Sequence, residues 1–400
     1  MKTYIVAAKR TAIGKFLGSA TSIPVAILGS TVIKNILEET KIDPSIIDEV
    51  IVGNVLSAGQ GQGVARQCAI KGGIPNEVPA YGINMICGSG MKAVLNAVTA
   101  IKSGFANVVL AGGAESMSGA GYVLPGGVRD GHRMGPVTAI DHMVHDGLTD
   151  AFENIHMGLT AENIAEKYNI TREEQDEFAL ESQHRAIAAI DGGRFKEEIV
   201  PVEYRDRKEI KVFDTDEFPN RTTSAEKLGK LRPAFKKDGT VTAGNASGIN
   251  DGASFVLIAS EEAVNKYNLT PMCEIIGIGQ GGVDPAYMGM GPVPAIRMAL
   301  KNANLELKDM DVIELNEAFA AQSLGVIHEL VKEHHVTREW ISEHTNPNGG
   351  AIALGHPIGA SGNRIIVTLV HEMKAAKAHY GLASLCIGGG MGTAIILREC

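Results

Sequence analysis

The chain repeats itself, and that repeat limits its fold more than any other feature. A strand (residues 1–8), an amphipathic helix (26–39) and a strand ending in a polar residue (48–54) follow in order. A polar, Gly-rich turn then runs into a helix (84–103), and a strand apolar on both faces (107–113) closes the set. The same order returns near the end: strand 273–279, helix 293–303, strand 309–316, a Gly-rich turn entering a helix after residue 355, and strand 383–390. Residues 48–54 and 309–316 both end in Asn, as Asn54 and Asn316, and His356 stands where Cys87 stood. Blocks recurring in one order imply two similar α/β halves packed together, with the loops at one end of each sheet facing a shared cleft.

Between the halves lies a more polar insertion, roughly residues 117–243, with helices expected near 160–168 and 172–190. Thr171, followed by Arg172, Glu173 and Glu174, has the form of a capping box. Residues 243–260 return to the first half as a strand. The expected division is a first half of residues 1–117 plus 244–270, an inserted segment of 118–243, and a second half of 271–400.

The charge balance narrows the partners. A formal net charge of −9 argues against a general nucleic-acid or anionic-membrane binder. The five cysteines, Cys68, Cys87, Cys273, Cys386 and Cys400, are odd in number and widely spaced. That pattern suggests neither a disulfide framework nor a zinc site, and reduced thiols in a cytoplasmic setting are expected. No metal is expected from the scattered histidines 328, 334, 335 and 344. No apolar run is long enough to span a bilayer, and the first residues lack signal-peptide architecture.

Four loops at corresponding strand ends carry reactive side chains. In the first, the turn Asn84-Met85-Ile86-Cys87-Gly88-Ser89-Gly90 places Cys87 at a helix N-terminus. Free N–H groups and the macrodipole favour an anion there, so a lowered thiol pKa and a nucleophilic role are expected. The second holds His356 between Gly355 and Pro357, and a cysteine activated by a histidine is a nucleophile–base pair. The third holds Cys386 before Gly388, Gly389 and Gly390. A second thiol beside the first suits proton transfer if its pKa lies near the working pH. The N–H groups of 388–390 suit a developing oxyanion. Asn316-Glu317-Ala318-Phe319 forms the fourth. Taken singly, each has a bland alternative: a core thiol, a turn histidine, a cap, close sheet packing. Gly59 to Gly63 reads as a loop or subunit contact. Arg221, Lys227, Lys230, Arg232, Lys236 and Lys237 read as a solvated face that also suits an anionic ligand.

On these residues the sequence resembles the thiolase family. Asn84-x-x-Cys87-x-Ser89-Gly90 is similar to its acyl-accepting cysteine motif, and Asn316-Glu317-Ala318-Phe319 to its Asn-Glu-Ala-Phe motif. Gly355-His356-Pro357-x-Gly359 is similar to its Gly-His-Pro motif, and Cys386-x-Gly388-Gly389-Gly390-x-Gly392 to its C-terminal cysteine motif. The resemblance covers the whole chain. It implies a duplicated, five-layered α-β-α-β-α core with an inserted loop domain, working as a homotetramer or dimer. By the same resemblance Cys87 takes an acetyl group as a thioester and His356 activates it. Cys386 moves the proton on the α-carbon of acetyl-CoA or on the CoA thiol. Asn316 holds a water that forms one oxyanion hole with His356, and the N–H groups of Cys87 and Gly388 form the other.

The inserted segment carries the implied substrate contacts: His156, Met157, Arg221, Phe235, Ala243, Ala246, Ser247 and Gly248, joined by Met288, Ala318 and Phe319. Ser247 is implied to bond the pantetheine. Met157 and Met288 are similar to those of members that handle short acyl chains, and bulky side chains there limit chain length. Two departures from the pattern stand out. Thr222-Thr223 follows Arg221 directly, which puts the adenine-end contacts in doubt. Residues 333–344 look longer than usual and read as a surface insertion. The implied reaction joins two acetyl-CoA into acetoacetyl-CoA and CoA, with coenzyme A and acetyl-CoA as substrates and no further cofactor. Three alternatives stay open: a broad-chain 3-ketoacyl-CoA thiolase, a non-enzymatic acyl-CoA carrier on the same fold, and a thiol redox sensor.

Overall fold

The computed structural model describes residues 1–400. The elements used below are β1 (Thr3–Thr11), α1 (Val25–Thr40), β2 (Glu49–Gly53), α2 (Val64–Lys71), β3 (Ala80–Ile83), α3 (Ser89–Lys102), β4 (Val108–Ser116), α4 (Met157–Tyr168), α5 (Arg172–Asp191) and β5 (Asn250–Ser260). The second half follows with β6 (Cys273–Gly282), α6 (Pro292–Ala303), β7 (Val312–Leu315), α7 (Ala320–His334), α8 (Arg338–His344), α9 (Ile358–Ala376), β8 (Tyr380–Ile387) and β9 (Met391–Glu399).

The duplication is visible in strand order. The main hydrogen-bonded path runs β7-β8-β9-β6-β1-β5-β4-β2-β3. Reading outward from the middle, β1-β5-β4-β2 mirrors β6-β9-β8-β7. Both central strands carry an irregularity at the same place, between Ile5 and Ala7 in β1 and between Ile275 and Gly277 in β6. The halves join where Tyr4 pairs with Glu274 and Ile5 with Cys273. Symmetry fails once. The partner of β3 in the second half is a single parallel bridge between Ile313 and Thr345.

Side-chain chemistry sorts these elements into layers. β4 and β5 are buried along their whole length, as strands covered on both faces must be. One outer core packs α1 and α2 on the first half's strands, through Leu28, Val32, Ile33 and Ile36. The opposite outer core packs α6 and α7 on the second half's strands, with α4 of the insertion. Between them α3 and α9 form a central layer. Val94, Ala97 and Val98 of α3 and Ile366, Leu369 and Val370 of α9 share one core with strands of both halves. Five layers result.

The central helices meet closely at their N-termini. A Cβ on Gly90 would lie 2.9 Å from the Asn363 nitrogen and 3.0 Å from the Gly359 oxygen. A Cβ on Gly113 would sit 2.0 Å from that oxygen, so glycine is required where β4 passes beneath α9.

The insertion is tied down by buried charge. Arg10 of β1 donates to Glu198 at 2.5 Å and to Asp216 at 2.8 Å, all three side chains being buried. A buried charge stripped of its partner costs about 3–5 kcal/mol, so this triad anchors the segment firmly. Within it α5 opens with the expected capping box between Thr171 and Glu174. Residues 333–344 lie largely at the surface, as expected, with one buried anchor. They complete α7 and form α8, whose Ile341 is fully buried. Arg185 of α5 donates to the carbonyls of Ser342 and Thr345 near its C-terminal end.

Candidate active site

Cys87 sits on a strained, locked turn. Ile86 has φ +45°, a conformation a β-branched residue seldom adopts. Two side chains hold it there. The Asn84 carbonyl oxygen accepts the Ile86 N–H at 3.0 Å. The Ser89 hydroxyl accepts the Met85 N–H at 2.9 Å and donates to the Ile86 carbonyl at 2.7 Å. The spacing Asn84-x-x-Cys87-x-Ser89 is thus the hydrogen-bond pattern that projects Cys87 from the start of α3.

His356 is positioned from three sides. Gly355 takes φ +106°, which turns the chain toward α9. The Asn250 side chain accepts the His356 N–H at 2.9 Å and donates to the Gly14 carbonyl at 3.0 Å. On the ring, Nδ1 lies 2.6 Å from the Ser361 hydroxyl, which itself donates to the Pro357 carbonyl. With that hydroxyl proton committed, the bonding pattern assigns the ring proton to Nδ1. Nε2 is left as a bare acceptor, buried and without a partner.

The third strand end brings in Cys386 and Gly388. Gly389 and Gly390 have φ +85° and +82°, and a Cβ on Gly390 would lie 2.3 Å from the Val283 oxygen. That turn aims the Gly388 N–H at the Cys87 sulfur. Cys386 is fully buried beside Cys87, close enough for Cys87 to oppose its ionisation. At the fourth end, both amide atoms of Asn316 are buried and unpaired. A buried polar group without partners is the usual place for an ordered water. Asn346 braces the neighbouring residues, donating to the Leu315 carbonyl and to Glu317 at 2.8 Å each.

The electrostatics correct one expectation. A lowered thiol pKa was expected for Cys87 at its helix N-terminus. Instead burial pushes the Cys87 thiol up to about 11, against the lowering effect of the Gly388 and Cys87 N–H groups and with a further push from Glu115. Cys386 is likewise driven up, by burial first and then by Cys87, rather than tuned to neutral pH. Burial, then the Arg364 charge, hold His356 down at about 4. Desolvation outweighs the helix terminus because the walls around the half-buried Cys87 are mostly apolar. The resting trio is therefore two thiols and a neutral imidazole.

Cys87 and His356 open onto one cavity of about 460 Å3. Ten of the substrate-contact residues expected from the sequence line it: His156, Met157, Phe235, Ala243, Ala246, Ser247, Gly248, Met288, Ala318 and Phe319. His156 stacks on Phe235 with ring centres 4.6 Å apart, and Phe235 meets Phe319 edge-on at 6.2 Å. The Ser247 N–H bonds the Ala318 carbonyl at 2.9 Å, which seams the segment leading into β5 to the loop after β7. Arg221 is the expected contact that the structure leaves outside the lining. It is exposed and held in a two-point pair with Asp191 at 2.7 and 2.9 Å. The neighbouring Lys230 and Lys236 are also paired, with Glu226 and Glu166.

Several residues were not anticipated. Phe16, Met117, Leu148, Phe218, Ile249 and Ile358 add apolar wall. Glu115 is buried and gathers the N–H groups of Val55, Leu56 and Gly359 with the Asn54 amide, at 2.8–3.1 Å. It ties the loop after β2 to the N-terminus of α9, beside His356. Burial pushes it up to about 7, against those N–H groups. No cluster of three His, Cys, Asp or Glu side chains is placed to hold a metal ion, and no helix is long and apolar enough to cross a membrane.

Comparison with known proteins places this geometry. The family model for the thiolase N-terminal domain matches residues 3–262, and that for the thiolase C-terminal domain matches 269–399. The chain is 55% identical over 400 residues to the acetyl-CoA acetyltransferase of Chromobacterium violaceum, covering 100% of each chain. It is 55% identical over 396 residues to that of Pseudomonas aeruginosa, covering 99% of this chain and 98% of the other. Among solved structures, the acetyl-CoA acetyltransferase of Syntrophomonas wolfei superposes with a TM-score of 0.96 at 41% identity, over 100% of this chain and 99% of that one. Human mitochondrial 3-ketoacyl-CoA thiolase in complex with CoA superposes at 0.93 with 45% identity, over 100% and 98%. Two family models that tile the sequence, and relatives above half identity along its full length, leave one conclusion: this chain belongs to the thiolase family.

Proposed function

We propose that the chain catalyses the reversible conversion of two acetyl-CoA into acetoacetyl-CoA and CoA, as an acetyl-CoA C-acetyltransferase. The observation that carries this reading is the convergence of a bare His356 Nε2 and the Cys87 thiol on one apolar cavity, with Cys386 buried alongside. Relatives named acetyl-CoA acetyltransferase at 55% identity support it.

In the first half-reaction His356 Nε2 takes the Cys87 proton, and the sulfur adds to the acetyl carbonyl carbon. The carbonyl oxygen gains charge where the Gly388 and Cys87 N–H groups converge. Cys386 gives its proton to the departing CoA sulfur, which leaves acetyl-Cys87, a Cys386 thiolate and a protonated His356. In the second, that thiolate removes an α-proton from another acetyl-CoA. The resulting enolate oxygen is met by His356 Nε2–H and a water on Asn316. The carbanion attacks acetyl-Cys87, and the released Cys87 sulfur recovers its proton from His356. Protons balance, and each thiol is restored. High resting pKa values suit this cycle, because a thiolate of high pKa is the stronger nucleophile and base once formed. Acyl-CoA substrates are all the chemistry requires; no further cofactor enters a step.

We assign the carriage of CoA to residues 118–243 and the chemistry to the halves 1–117 plus 244–270 and 271–400. Arg221 stays a candidate for the outer end of CoA, on condition that its pair with Asp191 opens. The cytoplasm is the proposed compartment. A homotetramer is the proposed assembly, supported by the exposed apolar side chains Tyr122, Leu124 and Met134 on the excursion after β4.

The test is the kcat/KM profile against chain length. Acetoacetyl-CoA is expected to outperform 3-ketoacyl-CoAs of eight carbons or more; the reverse order would make this a broad-chain 3-ketoacyl-CoA thiolase. Met288 and Met157 are among the buried side chains that line the cavity. Met288→Ala is accordingly expected to raise the ratio of longer to shorter 3-ketoacyl-CoA turnover by roughly 10- to 200-fold, the range set by a few methylenes of apolar pocket. Competition between C4 and C6 substrates reads that ratio directly.

A further inference from the structure

Exposure sorts the lining of the Cys87 cavity into floor and mouth. Met117, Met288 and Ile358 are buried, while Phe16, Ala234 and Ala243 are exposed. Ala234 and Ala243 belong to one part of the rim, drawn together where the Ala234 N–H bonds the Val241 carbonyl at 2.9 Å. Both are small. Phe16, from the turn after β1, is the large side chain among the exposed lining residues, at 42% exposure. A phenylalanine in water is ordinary by itself. One whose ring also lines the cavity of the reacting thiol is a surface for whatever enters there.

The turn that carries Phe16 is fastened on every side. The short strand Gly14–Lys15 pairs with Asp251 and Asn250 of β5. The Glu217 carboxylate accepts the N–H groups of Lys15 and Ser19 at 3.2 and 3.3 Å. The Ser118 hydroxyl accepts the Leu17 N–H at 2.9 Å, and the Gly18 N–H returns to the Lys15 carbonyl at 2.9 Å. Between them Leu17 is held at φ +55°, a left-handed conformation that leucine seldom adopts. Asp216, beside Glu217, is the carboxylate that Arg10 grips. Phe218, on the other side, lies against Gly248, where a Cβ would come within 2.3 Å of its ring. Residues 216–218 thus join the anchor of the insertion, the Phe16 turn and the cavity wall.

We propose that Phe16 is a substrate contact: its ring, with that of Phe218, takes the pantetheine arm of acyl-CoA where the arm enters the cavity. The proposal deepens the acyl-CoA reading above and rests on it. A thioester presented to Cys87 leaves the rest of its arm threaded through the mouth. That arm offers a geminal dimethyl group and two flat amides, and aromatic faces suit both. A ring on a fastened turn also loses little freedom on binding, so more of the contact appears as affinity.

The test measures Cys87 acetylation by mass with three donors. These are acetyl-CoA, acetylpantetheine and acetyl-N-acetylcysteamine, which lacks the arm beyond its first amide. Phe16→Ala is expected to lower the second-order rate with acetyl-CoA and acetylpantetheine by roughly three- to tenfold, the worth of one aromatic contact. With acetyl-N-acetylcysteamine it is expected to match the wild type. The loss falls on the donor concentration for half-maximal rate and leaves the saturating rate in place, as for an interaction equally strong in ground and transition states. Phe16→Tyr keeps the ring and is expected to restore binding. Equal losses with all three donors, or a lowered saturating rate, would make Phe16 a structural support and overturn the proposal. So would an unchanged F16A, or a loss confined to acetyl-CoA, which would put the contact at the adenosine end. A wild-type protein that acetylates Cys87 with none of the donors would sink the acetyl-transfer reading instead. Calorimetric binding of CoA to F16A and to the wild type would still report on Phe16.

Discussion

Cys87→Ser is expected to lose turnover by roughly ten-thousand-fold or more, the scale seen when a covalent nucleophile is removed. The reason is specific to this site. A hydroxyl needs a far stronger base than a thiol does, and His356, held down at about 4, is a weak one. The cavity itself is expected to survive. Serine fits the space, and the turn is locked by Asn84 and Ser89 rather than by Cys87. CoA is therefore expected to bind the variant with near-normal affinity while no acetyl group transfers, a separation that calorimetry and rapid quench measure together. Retained acetylation elsewhere on the chain would assign the nucleophile to another residue.

The second large effect divides the reaction in two. Cys386→Ser is expected to keep acetyl exchange between acetyl-CoA and the protein within about tenfold, because CoA leaves tolerably well as a thiolate. Condensation is expected to fall by roughly 100- to 10,000-fold, the range of a lost general base. Serine cannot reach the alkoxide needed to take an α-proton in a wall this dry, where even the thiol is driven upward. Exchange of the acetyl label is read against formation of acetoacetyl-CoA. Condensation at the wild-type rate would remove Cys386 from the proton path.

Much of this arrangement is legible in the sequence because the chain is duplicated. Matching Asn54 with Asn316 and Cys87 with His356 aligns the strand ends, and the strand orders β1-β5-β4-β2 and β6-β9-β8-β7 follow that alignment. Pattern reading failed where the second half departs from the first: one bridge at Thr345 replaces a strand. It did not show that the surface segment 333–344 is anchored to the core by Ile341.

At the site, motif residues were legible and their environment was not. The sequence shows that Cys87 begins a helix but not how apolar the walls around it are, and desolvation decides the sign of its pKa shift. Glu115, Asn250 and Ser361 escaped notice because their partners lie far along the chain or inside a helix face that reads as ordinary. Phe218 and Met117 are apolar residues in irregular segments, where no periodicity marks a cavity wall. Arg221 is a CoA contact implied by the resemblance, and its pairing with Asp191, thirty residues away on α5, is not legible in the sequence.

Peptide mapping of the Cys386→Ser protein after mixing with acetyl-CoA tests the central claim most directly. The account predicts a single stable acetyl group, carried on the sulfur of Cys87 and released when free CoA is added. An acetyl group on any other residue, or none at all on a protein that still binds CoA, would contradict it.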